Sequence, residues 1–389
     1  MRVITTTAEL KAACEALARA RYVTVDTEFM RETTFWPVLC LVQMAGPELE
    51  LVVDPLAAGI DLAPFHALMM DERVVKVFHA ARQDIEIVYA QTGAVPKPIF
   101  DTQIAAMVCG FGESVSYVNL VKKVTGIDLD KSSRFTDWSR RPLSAAQLEY
   151  ALADVTHLRD VYAALNGEME KTNRLDWVNE ETAELTALST YETVPEEAWR
   201  RLKLRVRTRK ALAIVMELAA WRERMAKAQN VPRSRILRDE ALFDIANQAP
   251  QTAEKLGELR TLSEGFARSG RARDILEAVK AGLARDPKTV PPLEHNEPLS
   301  AEANATVELL KVLLKAAAAR HRVAPRLIAT NDDLDLMASQ DTPEVRALTG
   351  WRRRVFGEDA LRLKRGELAL SLKRGEVVAL STAGAPAQV

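Results

Sequence analysis

Between Tyr22 and Glu28 apolar and polar side chains alternate, Val23 and Val25 falling on one face of a strand and Asp26 and Glu28 on the other. A helix-like stretch over residues 8–20 precedes this strand. Two more strand-like runs, residues 38–44 and 49–54, are separated by Gly46-Pro47, a turn signal. Three strands joined so closely predict an antiparallel meander. The rhythm then changes. Residues 60–70 and 79–91 read as helices around a short apolar strand at 74–78, and Ile99-Phe100 forms one more strand before a helix from Asp101. Strands first, then strands alternating with helices, predict a mixed α/β sheet flanked by helices. A long helix follows over residues 144–165, with Ser144 as N-cap after Pro142 and Gln147 placed for a capping box.

Past Asn166 the strand signals nearly vanish. A helical connector covers residues 171–206, helical periodicity dominates 207–286, prolines mark a linker at 287–298, and a second all-helical block is expected at 299–380 before a disordered tail, 381–389. The two blocks read as a diverged repeat. Val231-Pro232-Arg233 with Ile236, Asp239 and Leu242 echoes Ala324-Pro325-Arg326 with Ile328, Asp332 and Leu334, an offset of roughly 90 residues.

Composition narrows the class without choosing the chemistry. The 389 residues suffice for two or three domains, and 48% hydrophobic with 28% charged content describes an ordinary globular protein. No apolar run approaches the roughly 18 residues of a membrane span, and the N-terminus lacks a signal-peptide core. Three scattered cysteines, Cys14, Cys40 and Cys109, read as reduced thiols of a cytoplasmic protein. The absence of coiled-coil heptads favours a monomer. A net charge of −1 excludes a globally basic coat but not local patches, and residues 199–210 carry seven lysines and arginines and no acid. Such a run fits an RNA backbone.

Two carboxylates less than about 7 Å apart on one face of a strand repel each other unless a cation lies between them. Asp26 and Glu28 form such a pair. Asp-x-Glu alone proves little, since Asp84-Ile85-Glu86 repeats it. Its place at the end of the first apolar strand is what raises it. Asp84 lies at the opening of a helix that leaves the sheet, and Tyr150 and Asp154, four apart on the long helix, share a face. Acids at a strand, an early helix turn and a late helix can meet at one sheet edge. Phosphodiester hydrolysis uses such a cluster: two divalent cations bind the scissile phosphate, activate a water and stabilise the leaving 3′ oxygen. A hydrogen bond from Tyr150 would orient that water.

The order Asp-x-Glu, Asp84, Tyr-x-x-x-Asp resembles the tyrosine subtype of the DEDD 3′-to-5′ exonucleases. Phe78-His79-Ala80-Ala81-Arg82-Gln83-Asp84 and Asp137-Trp138-Ser139-Arg140-Arg141-Pro142-Leu143, leading to Tyr150-Ala151-Leu152-Ala153-Asp154-Val155, narrow the resemblance to the ribonuclease D family. Trp221-Arg222-Glu223 and Asn230-Val231-Pro232-Arg233 look like an HRDC domain, and the second block like a more divergent copy. The resemblance implies a ribonuclease-H-like exonuclease domain over residues 1–170 holding two divalent metals, Mg²⁺ or Mn²⁺. It implies Asp26, Glu28 and Asp154 as direct ligands, Asp26 shared between the ions, Asp84 supporting the second ion, and Tyr150 orienting the water. The implied substrate is the 3′ trailer of precursor tRNA, released as 5′-mononucleotides.

Other readings stay open at this point. His79 with Asp84 fits the spacing of the histidine subtype, but that assignment uses up Asp84 and leaves no middle acid, and position 149 is Glu149. His79 then reads as a helix-start residue near the substrate. Phe29, Phe35 and Trp36 either stack on terminal bases or plug the loop beneath them. Lys131, Arg134, Arg140 and Arg141 either hold phosphates or form a solvated face. A DNA-directed exonuclease and a non-catalytic RNA-binding adaptor are the alternatives to an exoribonuclease.

Overall fold

The computed structural model describes residues 3–130, 136–263, 265–293 and 298–382. Its first part is built around a six-stranded sheet of β1 (Val3–Ile4), β2 (Tyr22–Met30), β3 (Val38–Ala45), β4 (Glu50–Val53), β5 (Val75–Phe78) and β6 (Ile99–Asp101). The strand order is β1-β4-β3-β2-β5-β6. β2, β3 and β4 form the predicted antiparallel meander, while β5 and β6 extend the sheet in parallel from β2. β1, two residues parallel to β4, is too short to leave a periodic signal and was not predicted.

β2 lies inside the sheet, paired with β3 and β5, and both of its faces are covered. Helices α1 (Thr7–Leu17), α2 (Ala63–Met70) and α3 (Arg82–Thr92) pack on the face of Val23 and Val25, with Leu10, Leu17, Phe65, Met69, Ile85 and Val88 in the shared core. Helices α4 (Thr102–Val108), α5 (Tyr117–Thr125) and α6 (Ala145–Thr172) cover the other face. The Thr24 hydroxyl lies within hydrogen-bond distance of the carbonyls of Ala45 (3.0 Å) and Val155 (2.9 Å), tying β2 to α6. α6 starts at the predicted capping box of Ser144 and Gln147 and runs past Leu165 to Thr172.

After α7 (Leu175–Thr182) the chain folds into two blocks with the same series of elements. In the first, α8 (Arg209–Gln229) ends at left-handed Asn230 and is followed by α9 (Arg233–Ile236), α10 (Asp239–Gln248), α11 (Ala253–Gly257) and α12 (Gly270–Ala284). In the second, α13 (Ala301–His321) ends at left-handed Arg322 and is followed by α14 (Pro325–Ile328), α15 (Asn331–Ser339), α16 (Gly350–Arg352) and α17 (Glu358–Lys364). The repeated motif marks the same turn in each block.

The second block is not all-helical. It closes in a hairpin of β7 (Leu368–Lys373) and β8 (Glu376–Ser381), turned by Arg374 and Gly375, whose φ values of 52° and 86° suit a two-residue hairpin loop. The leucines and alanines of this stretch favour a helix, and their alternation, which favours a strand, is what the fold obeys. Residues 383–389 of the expected tail lie outside the described residues.

The second block is seated on the sheet domain. Trp351 stacks on Trp177 of α7 with ring centroids 4.2 Å apart and planes 9° from parallel. Arg352 is buried between Glu180 and Glu181 and donates to the Leu327 carbonyl. Gly110, after α4, meets the Arg322 carbonyl so closely that a Cβ there would lie 2.6 Å from its oxygen. Glu181 has a side chain only 6% exposed, so losing Arg352 leaves this buried carboxylate with exposed Arg346, 3.0 Å away, as its one remaining cation among the described residues. Arg352→Ala is expected to cost about 3–5 kcal/mol, whereas Glu180→Gln, at a half-exposed position, costs about 1 kcal/mol or less. Thermal melting of the full chain measures both; near-equal effects would mean that the ion pairs do not hold this seam.

Candidate active site

β2 places its acids by alternation. Asp26 sits opposite Gln43 of β3 and Glu28 opposite Leu41, and the register slips just after Glu28. Both acids face α6, which supplies Tyr150 and Asp154 from its first three turns. One carboxylate oxygen from each of Asp26, Glu28 and Asp154 falls within a group whose members all lie within 4.8 Å of one another.

Asp84 reaches the site differently. It stands on α3, over the opposite face of β2, and stays outside that trio. Thr27, which points to this opposite face, donates its hydroxyl to Asp84 Oδ1 at 2.5 Å. The turn carrying α3 is fixed from β6. The Asp101 carboxylate accepts the backbone N–H groups of Ala80 (3.1 Å) and Ala81 (2.9 Å) while capping α4 through Gln103 N–H (2.8 Å). Ala80 takes a left-handed φ of 59° in this turn, so the predicted helix begins at Arg82 rather than His79.

Burial is the largest influence on these acids, and mutual repulsion follows. Asp26 is pushed well above the ordinary carboxylate range by burial and then by Asp154. Burial, then Asp26, Asp154 and Asp84, push Glu28 up to about 10. Asp84 is raised by burial and by Asp26, against the opposing Thr27 hydrogen bond. Oxygen-only ligands at this spacing suit a hard divalent cation, which would also relieve the repulsion. The donor set therefore fits such a metal.

Two residues near the site carry no sequence signal of their own. Thr27 is visible only once the register of β2 against α3 is known. Tyr117 donates its hydroxyl to the Ala153 carbonyl at 2.9 Å, next to Asp154, and its phenol is raised first by burial and then by Asp154 and Asp26.

The substrate-contact candidates are largely reassigned. Phe35 is 7% exposed in the core of the first helical block, and Trp36 packs against the same core. Asn230 Oδ1 accepts the backbone N–H groups of both residues at 3.2 Å, and the Arg233 guanidinium lies 4.5 Å from the Phe35 ring centroid. Phe35 is thus an interdomain plug, with half-buried Trp36 packed beside it. Phe29 is half-buried against the core under α1–α3.

Arg141 spends all five of its N–H donors within the protein. Asp54 takes two at 2.7 Å, and the carbonyls of Cys40, Trp138 and Arg140 take the others. It clamps the segment before α6 to β3 and β4, with no donor left for phosphate. Both ring nitrogens of His79 are engaged, at 3.0 Å from Thr102 Oγ1 and 3.2 Å from the Val115 carbonyl, and burial lowers its pKa. It is a structural residue of the β5–α3 turn. Arg140 is exposed and pairs with Asp137 at 3.1 Å. Lys131 and Arg134 lie outside the described residues.

Comparison with known proteins agrees with the fold. Residues 1–170 match the family model of a 3′-5′ exonuclease, and residues 211–279 match the HRDC domain. Sheet, carboxylates and helical block together define a 3′-5′ exonuclease with an appended HRDC domain. Ribonuclease D of Nitrobacter hamburgensis is 58% identical over 366 residues, spanning 94% of this chain and 96% of that protein. Ribonuclease D of Bartonella henselae is 46% identical over 367 residues, 94% of this chain and 90% of that one. The crystal structure of Escherichia coli RNase D, an exoribonuclease involved in structured RNA processing, aligns with a TM-score of 0.80 at 29% identity, covering 94% of this chain and 98% of that one. The chain belongs to the ribonuclease D family and is a 3′-5′ exoribonuclease.

The raised acids set a sign for pH dependence. A carboxyl whose folded pKa exceeds its unfolded one binds more protons when folded, so its contribution to stability falls as pH rises from the ordinary carboxylate range toward the folded value, about 10 for Glu28. In EDTA the melting temperature should therefore fall between pH 7 and 9, and the rise produced by Mg²⁺ should be larger at pH 9. A melting temperature in EDTA that climbs over this window would show that the acids are not raised.

Proposed function

We propose that this enzyme removes extra 3′ residues from precursor tRNA as 5′-mononucleotides, with two divalent ions, Mg²⁺ or Mn²⁺, held by Asp26, Glu28, Asp84 and Asp154. The observation that carries this reading is the meeting of Asp26, Glu28 and Asp154 oxygens within 4.8 Å on the sheet face that also receives Tyr150. When bound, such ions offset charge developing on the phosphate and acidify the attacking water.

The chain's own residues supply the positioning. Asp26 belongs to the trio with Glu28 and Asp154 and also acts on Asp84, so it would be the ligand shared by the two ions. Asp84, its Oδ1 held by the Thr27 hydroxyl, would support the second ion. Tyr150 lies one turn before Asp154, its ring 6.1 Å from that of Trp138, and its hydroxyl orients the nucleophilic water.

Exonuclease domain, connector, HRDC domain and a second, divergent HRDC-like block divide the chain at about residues 170, 206 and 298. The helical blocks position structured RNA. Arg201, Lys203, Arg205, Arg207 and Lys210, exposed from the end of the connector into the start of α8, supply phosphate contacts. Precursor tRNA as substrate places the work in the cytoplasm, by a monomer.

Asp154→Asn should abolish shortening from the 3′ end of a 5′-labelled tRNA carrying a 3′ extension, without lowering the melting temperature. Wild-type enzyme should pause at the mature terminus, stop in EDTA, and trim a DNA of the same sequence poorly. Equal trimming of the DNA would discard the tRNA assignment while keeping the chemistry, and survival of activity in Asp154→Asn would discard the site.

A second expectation concerns the plug. Because Phe35 completes the core of the first helical block, truncation after residue 205 should reduce turnover even on an oligonucleotide too short to reach that block. Undiminished turnover would separate the plug from the site.

A further inference from the structure

Gln43 sits at the middle of the sheet with no exposed surface, and among the described residues neither Oε1 nor Nε2 of its amide has a hydrogen-bond partner. Its register partners are Asp26 on β2 and Val52 on β4. Directly opposed residues of an antiparallel pair share a face, with Cβ atoms about 4.5–5.5 Å apart. Gln43 therefore stands beside Asp26 under α6, where the buried apolar cluster includes Leu41, Val52, Trp138 and Ala151.

A buried amide without partners opposes folding, and an apolar side chain of similar volume at this position would not. The polar group it flanks is the Asp26 carboxylate. Asp26 already receives the backbone N–H of Thr27, and Asp84 receives the Thr27 hydroxyl. Neutral donors, rather than cations, thus orient the acids, which keeps their charge available to a metal. Gln43 Nε2 is a further neutral donor, without a partner, on the face where Asp26 meets Glu28 and Asp154.

We infer that Gln43 is a positioning residue for the metal site: its amide, unpartnered beside Asp26, turns to donate to that carboxylate when a divalent cation is bound and holds it in the orientation the cation requires. This inference rests on the metal-dependent reading of the site. An outer-shell donor of this kind sets how tightly the ion is held, and its loss typically costs about 10–100-fold in metal affinity or activity.

The test uses the full chain and the metal alone. Gln43→Leu and Gln43→Met remove the amide while keeping volume. Each is melted in EDTA and against rising Mn²⁺, then assayed on a short single-stranded oligoribonucleotide. Both variants should melt in EDTA no lower than wild type, need at least tenfold more Mn²⁺ for half of their metal-induced stabilisation, and lose turnover with little change in KM. If wild type responds to Mn²⁺ and both variants respond at the same concentration, Gln43 is a packing residue and the inference fails, whatever their melting temperatures in EDTA. If wild type itself gains no stability from Mn²⁺, the metal reading fails first and takes this inference with it.

Discussion

Three carboxylates brought within 4.8 Å of one another, two of them raised by burial and repulsion, are the constraint on which the rest of this structure depends. Nothing in the cluster favours folding by itself. The cores on either side of the sheet supply the free energy that holds it: Val23 and Val25 anchor one face of β2, while Thr24 and the apolar side of α6 secure the other. A strand buried on both faces cannot slip by one residue without turning its acids into the α1–α3 core, so the register is as protected as the core.

The same economy shapes the surroundings. Asp101 serves two helix starts at once, and Arg141 uses every donor it has to pin the approach to α6. The loop between β2 and β3 leaves the sheet after Met30, two residues past Glu28, and ends in the first helical block, where Asn230 and Arg233 receive Phe35 and Trp36. Domains that sequence comparison divides are thus joined within a few residues of an acid. A bidentate pair between Arg31 and Glu86, with both contacts at 2.7 Å, steadies the start of that loop.

What was legible in the sequence was what local period controls. The alternation in β2, the capping box of α6 and the four-residue spacing of Tyr150 and Asp154 each determine a face without reference to distant chain. Asp84 was legible as part of a motif, but its hydrogen bond to Thr27 was not, because that contact depends on how α3 crosses β2. Phe35, Trp36 and Arg141 were ambiguous for a related reason. An aromatic ring or a guanidinium suits a nucleotide as well as it suits a protein interior, and only the tertiary partners decide. The β7–β8 hairpin was misjudged because helix-forming residue types outweighed their own alternation.

The pairing of Trp177 with Trp351 has a consequence of another kind. These indoles belong to opposite sides of the seam between the sheet domain and the second helical block, yet lie 4.2 Å apart and almost parallel. Face-to-face indoles couple electronically, giving a paired circular-dichroism band and altered emission that vanish when the rings separate. The chain thus contains its own spectroscopic gauge of whether that block is seated, readable without a label while an RNA is being handled.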